Sequence, residues 1–338
     1  MARSFALRVR KGGLGFMISL NARAAGIVGR MTGDAEALGI RVGRLPGGAT
    51  VVDAGINARG SREAGRLLAE ASMGGLGRAA FCHERYGGEE GELIFPSLSV
   101  DVALPHLACM ASQYAGWPLR LGDYAAIASG PARALAGGEE IFDTLGYSDP
   151  ADVAVLMLEG RTPPDEVVAA HVAGRCGVAP EKVTLIVAPT ASIVGSVQVA
   201  ARSVETALHK LHRLGFDVRR VAAASGFCPI APVAADDVSA VGRTNDALLY
   251  GSRVFLSVHA PEEDIAALIG VVPAESSPDY GSPFLDLFLR HGGDFFGIDP
   301  MLFSPARIEI HCLESGRTLS AGRVAPDLLR RSLPGADQ

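Results

Sequence analysis

The residues whose types and spacing could do chemistry are concentrated between positions 192 and 214. There Gln198, Arg202, Glu205, His209 and His212 recur at i, i+4, i+7, i+11 and i+14. On a helix this is one polar stripe on an element otherwise made of Val, Ala and Leu. Such a stripe is ordinarily a solvated face, with Arg202 and Glu205 an exposed ion pair worth a few tenths of a kcal/mol. The rival reading turns its N-terminal half towards a cleft. There a carboxylate held by a guanidinium can orient a water molecule and take its proton. The preceding Ala188-Pro-Thr-Ala-Ser192 is uncharged and short-chained, which suits contact with a ligand.

Other candidates are weaker. Ser129-Gly130-Pro131-Ala132-Arg133 reads as a helix start with Pro at its first position and a guanidinium in its first turn. That is either an anion site or a plain cap. Gly75-Leu-Gly77-Arg-Ala-Ala80 matches the dinucleotide pattern in letters, but it follows a helical segment where the fingerprint requires a strand, so it reads as a glycine turn. The eight His include no HExxH frame and no Cys/His cluster, so no metal is expected. The absence of a GxSxG elbow removes the usual setting for acyl transfer.

The elements that must position these groups follow from periodicity. Residues 19–38 read as a helix, 40–53 as two strands around Pro46-Gly47-Gly48, 60–73 as a helix ending at Gly74-Gly75, and 93–104 as strand. Residues 107–117 form a small-residue segment. The run 151–158, the amphipathic stretch 164–176, the buried run 183–187, the long helix 192–214 and a strand at 218–224 predict a parallel strand–helix–strand series. Beyond it come a short helix at 236–241, a strand or strand pair at 247–258 broken by Gly251, a helix at 283–290, and a hairpin over 305–324. Residues 325–338 read as a frayed tail.

Composition bounds the rest. At about 150 residues per domain, 338 residues suggest two domains, and 48% apolar residues with 20% charged ones suit a globular α/β or α+β chain. A formal charge of −6 without a basic cluster argues against nucleic-acid binding. Five scattered Cys without a CxxC pair point to a reducing compartment, with a cytoplasmic location expected. Residues 1–16 lack the apolar run of a secretory signal and read as an extension. The charge-free stretch 183–201 carries too many polar and helix-breaking residues for a membrane span.

Several words of the chain then resemble one family. They are Met17-Ile-Ser-Leu-Asn21, Gly47-Gly-Ala-Thr-Val-Val-Asp53, Ser112-Gln-Tyr-Ala-Gly-Trp117, Ser129-Gly-Pro-Ala-Arg-Ala-Leu135, Ala188-Pro-Thr-Ala-Ser192, Gly195-Ser-Val-Gln198, Thr244-Asn-Asp-Ala247 and Asp279-Tyr-Gly281. In this order they resemble the methenyltetrahydromethanopterin cyclohydrolases of archaeal and methylotrophic one-carbon metabolism, over residues 17 to about 325. The resemblance implies two α/β domains, 17–188 and 189–325, with a substrate cleft between them, an extension at 1–16 and a tail at 326–338. It implies reversible hydrolysis of a cyclic methenyl group to a formyl group on a pterin carrier, with no metal, no redox cofactor and a homotrimeric assembly. By the same resemblance Glu205 is the general base and Arg202 orients it. Ser112, Gln113 and Tyr114 line the reacting carbon, and Gly130 with Arg133 is a candidate for the carrier's acidic tail. Two alternatives stay open at this stage: a pterin-binding or carrier protein without chemistry, and an amidohydrolase acting on another cyclic amidine.

Overall fold

The computed structural model describes residues 18–88, 91–293 and 297–333; the 1–16 extension lies outside them. The described residues open with α1 (Leu20–Gly33), capped by the Ser19 hydroxyl, then α2 (Ala35–Leu38), β1 (Arg41–Arg44), β2 (Thr50–Asp53) and α3 (Arg62–Ser72). A long hairpin, β3 (Gly77–Gly88) and β4 (Gly91–Ala103), leads to a π-helix (His106–Gln113). Next come β5 (Trp117–Leu121), β6 (Tyr124–Ser129), α4 (Ala132–Ala136) and α5 (Glu140–Leu145). The unit β7 (Ala154–Glu159), α6 (Glu166–Cys176), β8 (Val183–Ala188) follows, then α7 (Ile193–Ala200), α8 (Ser203–Arg213) and β9 (Val221–Pro229). The remainder is α9 (Asp237–Gly251), β10 (Arg253–Val258), α10 (Glu262–Leu268), α11 (Phe284–Arg290), β11 (Arg307–Cys312), β12 (Arg317–Gly322) and α12 (Pro326–Ser332).

Among the described residues the strands form two six-stranded mixed sheets, so the α/β expectation holds. The first runs β1-β2-β8-β7-β6-β5 and the second β12-β11-β10-β9-β4-β3. In the first, β2, β8 and β7 are parallel neighbours and helices cover both faces. Leu156, Leu158, Leu185 and Val187 pack with Val168 and Val172 of α6, while Val155, Met157, Ile186 and Ala188 pack with α1 and α3. That two-sided burial explains why these strands read as unbroken apolar runs. In the second sheet, burial alternates along β10 and β11, as it does when one face meets the core and the other does not.

Three expectations change. The predicted parallel series stops at β8, because the next strand, β9, joins the other sheet, antiparallel to β4 and β10. The short helix and broken strand at 236–258 are instead one helix to Gly251 followed by β10. Asp236 caps that helix by accepting the Ser239 N–H, and Ala247, Leu248, Leu249 and Tyr250 form its buried last turns. The tail is helical over Pro326–Ser332, with Leu329 and Leu333 fully buried; residues 334–338 lie outside the described ones. The sheets also do not divide where a cut at 188/189 divides the chain. The hairpin at 77–103 comes from the first half yet pairs through β4 with β9, Ser97 to Ala103 lying opposite Pro229 to Ala223.

Candidate active site

The connection from β8 in one sheet to β9 in the other is the long helical stretch singled out in the sequence, and it is not continuous. The Arg202 N–H turns back to the Val199 carbonyl, three residues behind, and Arg202 takes φ −87° and ψ 2° as the first flanking residue of α8. The second sheet allows this break by close approach, since a Cβ on Gly226 of β9 would collide with the Ser203 side chain. Arg202 therefore stands at a joint between helices, and Glu205 in the first turn of α8.

Both residues face inward. Arg202 is 8% and Glu205 5% exposed, and Nη1 of Arg202 lies 3.3 Å from Oε2 of Glu205. The solvated-face reading of this part of the stripe is thereby replaced. The guanidinium is held from every side: Nη1 donates to the Gln113 carbonyl at 2.8 Å, Nη2 to the Ser129 hydroxyl at 3.2 Å, and Nε to Oε1 of Gln198 at 3.3 Å. These partners come from the π-helix, β6 and α7, so one side chain ties both sheets' connections together. Behind it, Gln198 donates to Glu159, at the carboxyl end of β7, at 3.3 Å, and Thr190 bonds the other oxygen of Glu159. A cavity of about 10 Å³ lies among Leu68, Ser129, Glu159, Gln198 and Arg202, close to the space of a single water molecule.

Electrostatics follow from burial. Desolvation pushes the Glu205 carboxyl above its ordinary range, opposed by the neighbouring charges of Arg202 and then Arg133. Burial likewise raises the Tyr114 phenol, with Glu205 adding to the shift, so the hydroxyl keeps its proton. His209, one turn beyond Glu205, is pushed down to about 4 by burial and by the charge of Arg213, which leaves it neutral at pH 7. Its ring stacks on Tyr114 with centroids 5.1 Å apart.

The remaining sequence candidates fall into two kinds. Gln113 meets Arg202 directly through its carbonyl, while Tyr114 stacks on His209 and feels the Glu205 charge through space. The Gln113 amide donates to the Ala201 carbonyl at the helix joint at 3.2 Å, and its Oε1 is buried with no hydrogen-bond partner among the described residues. Ser112 is fully buried, with its hydroxyl on the Ser72 carbonyl of α3 at 2.5 Å, so it anchors the segment. Gly130, at φ +105°, donates its N–H to the Ser112 carbonyl. Arg133 is fully buried, with its guanidinium on Glu139 and on the Met110 and Ser112 carbonyls. Its α4 is five residues long. Its charge acts on Glu205 and over the Tyr114 ring at 5.1 Å. Sequence reasoning missed Glu159 and Ser129 as neighbours of Arg202. The available signal was a lone carboxylate closing an apolar parallel strand, the edge where open α/β sheets gather their sites. Among the described residues no group of three or more His, Cys, Asp or Glu could hold a metal ion, and no helix is long and apolar enough to cross a membrane.

A family model described as Cyclohydrolase (MCH) matches residues 19–333, which spans both sheets and the joint between them. The chain belongs to this cyclohydrolase family. Relatives that carry the name methenyltetrahydromethanopterin cyclohydrolase include the following three. The protein of Xanthobacter autotrophicus is 44% identical over 94% of this chain and 93% of its own length. That of Methylobacillus flagellatus is 43% identical over 93% and 95%, and that of Methanococcus maripaludis 43% over 94% and 98%. Within the cyclohydrolase match lie all the residues gathered around Glu205, from Gln113 to His209, and the strands that carry them.

Proposed function

We propose that this chain reversibly hydrolyses 5,10-methenyltetrahydromethanopterin to the 5-formyl derivative, with Glu205 as the general base. Family membership supports the reaction. The observation that carries the residue assignment is a buried carboxylate gripped by a buried guanidinium at the joint between the two sheets. The methenyl carbon of the substrate is an amidinium and already electrophilic, so the protein has to supply a positioned water, an acceptor for its proton and donors for the oxygen that becomes the formyl carbonyl. Neither a metal nor a redox cofactor is needed for those tasks. Water adds to the carbon as Glu205 takes its proton, giving a tetrahedral carbinolamine. The bond from that carbon to the leaving ring nitrogen then breaks as the nitrogen takes the proton from Glu205. The carbinolamine hydroxyl gives up its own proton to the freed carboxylate and thence to solvent as the carbonyl forms, so the formyl group stays on the other nitrogen and one proton is released overall.

Arg202 opposes the cost of burying the Glu205 charge and, held by its bonds to Gln113, Ser129 and Gln198 while Nη1 meets Oε2, fixes where the carboxylate points. Glu159 balances that guanidinium charge through Gln198 and so acts as a positioning residue. Tyr114, with its proton retained, and the Gln113 amide supply polar contacts beside the reacting carbon, with Ser112, Gly130 and Arg133 forming the wall behind them. The substrate lies between the two α/β domains of a cytoplasmic homotrimer.

The test is loss of the methenyl absorbance. Glu205→Gln keeps size and hydrogen bonding but removes the base, so turnover falls by on the order of a hundredfold or more while the substrate still binds. A variant with near-native turnover removes Glu205 from the mechanism. Native protein that binds the pterin without consuming the chromophore leaves the carrier-protein reading, and native protein active only on another cyclic amidine leaves the amidohydrolase reading.

A further inference from the structure

The glycine turn that resembled a dinucleotide fingerprint in letters borders an open cleft of about 540 Å³ on the outer side of α1 and α3. Four arginines line it: Arg23 and Arg30 from α1, Arg66 from α3, and Arg78 from the first residues of β3. Glu70 is the lining carboxylate, so the lining carries a formal charge of +3. Glu63 at the rim, paired with Arg66, and Asp101, opposite Arg78 on β4, still leave it positive, in a chain whose net charge is −6.

The guanidiniums are partly preset. Arg23 donates to the Gly75 carbonyl at 2.7 Å, and Arg66 is clamped between Glu63 at 2.5 Å and Glu70 at 2.7 Å. Glu70 also accepts the Ala79 N–H, so its charge is already engaged from two sides. Arg78 is exposed and makes no ion pair with the described residues, and Arg30 has only a 3.4 Å bond to its own helix's Gly26 carbonyl. The wall needs glycine: at φ +67° a side chain on Gly75 would be strained and would bring its Cβ to 3.2 Å from that of Arg23.

The cleft is distinct from the Glu205 site. Leu68 of α3 faces the small cavity beside Arg202, whereas Arg66 and Glu70 face the cleft. Positions 66 and 70 lie on the side of the helix opposite 68, so the body of a helix about 10 Å across separates the two. Planar guanidinium forks pair best with anions that offer several oxygens in a fixed array, and the volume suits a small molecule. We propose that the Arg23–Arg30–Arg66–Arg78 cleft binds a phosphate-bearing small molecule, as a site separate from the hydrolytic one.

The probes are inorganic phosphate, pyrophosphate and glycerol phosphate, titrated calorimetrically into the full chain in a chloride buffer. Saturable binding that weakens with added salt is expected, with pyrophosphate tighter than phosphate because it engages more forks. Glycerol phosphate binding more tightly than phosphate assigns the ligand to organic phosphates; the reverse assigns it to inorganic ones. The double variant Arg30→Gln, Arg78→Gln is expected to weaken binding at least about tenfold, with the melting temperature in chloride unchanged. If the double variant does not fold, Arg78→Gln alone, at an exposed strand position, serves the same comparison. No saturable binding of any probe overturns the proposal, as does binding equal in native and variant protein. A change in sedimenting mass without any anion binding also overturns it, and makes this face a contact between copies.

Discussion

Glu205 has to be buried enough to be dry and ionised enough to accept a proton. Burial raises its carboxyl and Arg202 and Arg133 lower it, with burial the larger influence. Its base form exists above the raised value, so kcat/KM should fall on the acid side as pH drops through it. Replacing Arg202 by Gln removes the nearer stabilising charge and raises the carboxyl further. The acid limb of the kcat/KM profile is therefore expected to move to higher pH, in addition to any loss of rate. A limb that stays in place in the Arg202→Gln enzyme would mean that the guanidinium only braces the fold. His209 is already neutral at pH 7, held at about 4, so it is not expected to contribute a limb near neutrality.

At the scale of elements, the joint at residues 201–202 sets the geometry of the pair. A continuous helix would carry Gln198, Arg202 and Glu205 on one regular stripe. The break re-aims α8 so that Arg202 reaches the π-helix, β6 and α7 together. Gly226→Ala should disturb this joint by pressing on Ser203, at a cost of about 1–3 kcal/mol. Thermal unfolding should show the loss of stability, and turnover should drop without any change to a chemical group. A native-like variant would show that the joint yields freely. A second element-scale feature is Asp246 on α9, which is 1% exposed, accepts the Phe284 N–H opening α11 at 2.8 Å, and is pushed up to about 7 by burial. Its folded value lies above the unfolded value of about 3.9, so the native state binds the extra proton between them. The stability it contributes is complete below that unfolded value and disappears as pH rises through about 7. Denaturant titrations across that window should show the decline in native protein and a flatter profile in Asp246→Asn; equal slopes would refute the assignment. Helices with a cap and one apolar stripe, such as α1, α3 and α6, were legible in the sequence because their signals are local. The joint was not, because it depends on a glycine in β9 that lies beyond the reach of helical periodicity.

At the scale of the molecule, the two sheets are tied by chain crossing. The 77–103 hairpin leaves the first half to pair with β9, and the stretch from β8 to β9 returns from the first sheet to the second carrying Arg202 and Glu205. A fragment ending at residue 188 would keep β3 and β4 but leave the inner edge of β4 unpaired and the buried Leu98, Val100 and Val102 without their cover. Such a fragment is expected to lack a cooperative unfolding transition and to aggregate. A soluble fragment with a sharp transition would show that the halves fold independently.

The sequence alone determined the α/β class, most of the strands and helices, and, through ordered family words, the pair of residues to watch. Each of these is written in local spacing or in short motifs. Whether Arg202 and Glu205 faced solvent or the interior was decided only by tertiary structure. Burial is set by what packs against a helix, and here the groups that meet Arg202 include Gln113 and Ser129, which are remote in the chain. The same holds for the arginine cleft, whose charges are scattered from Arg23 to Arg78 and converge only because α1, α3 and the start of β3 pack side by side.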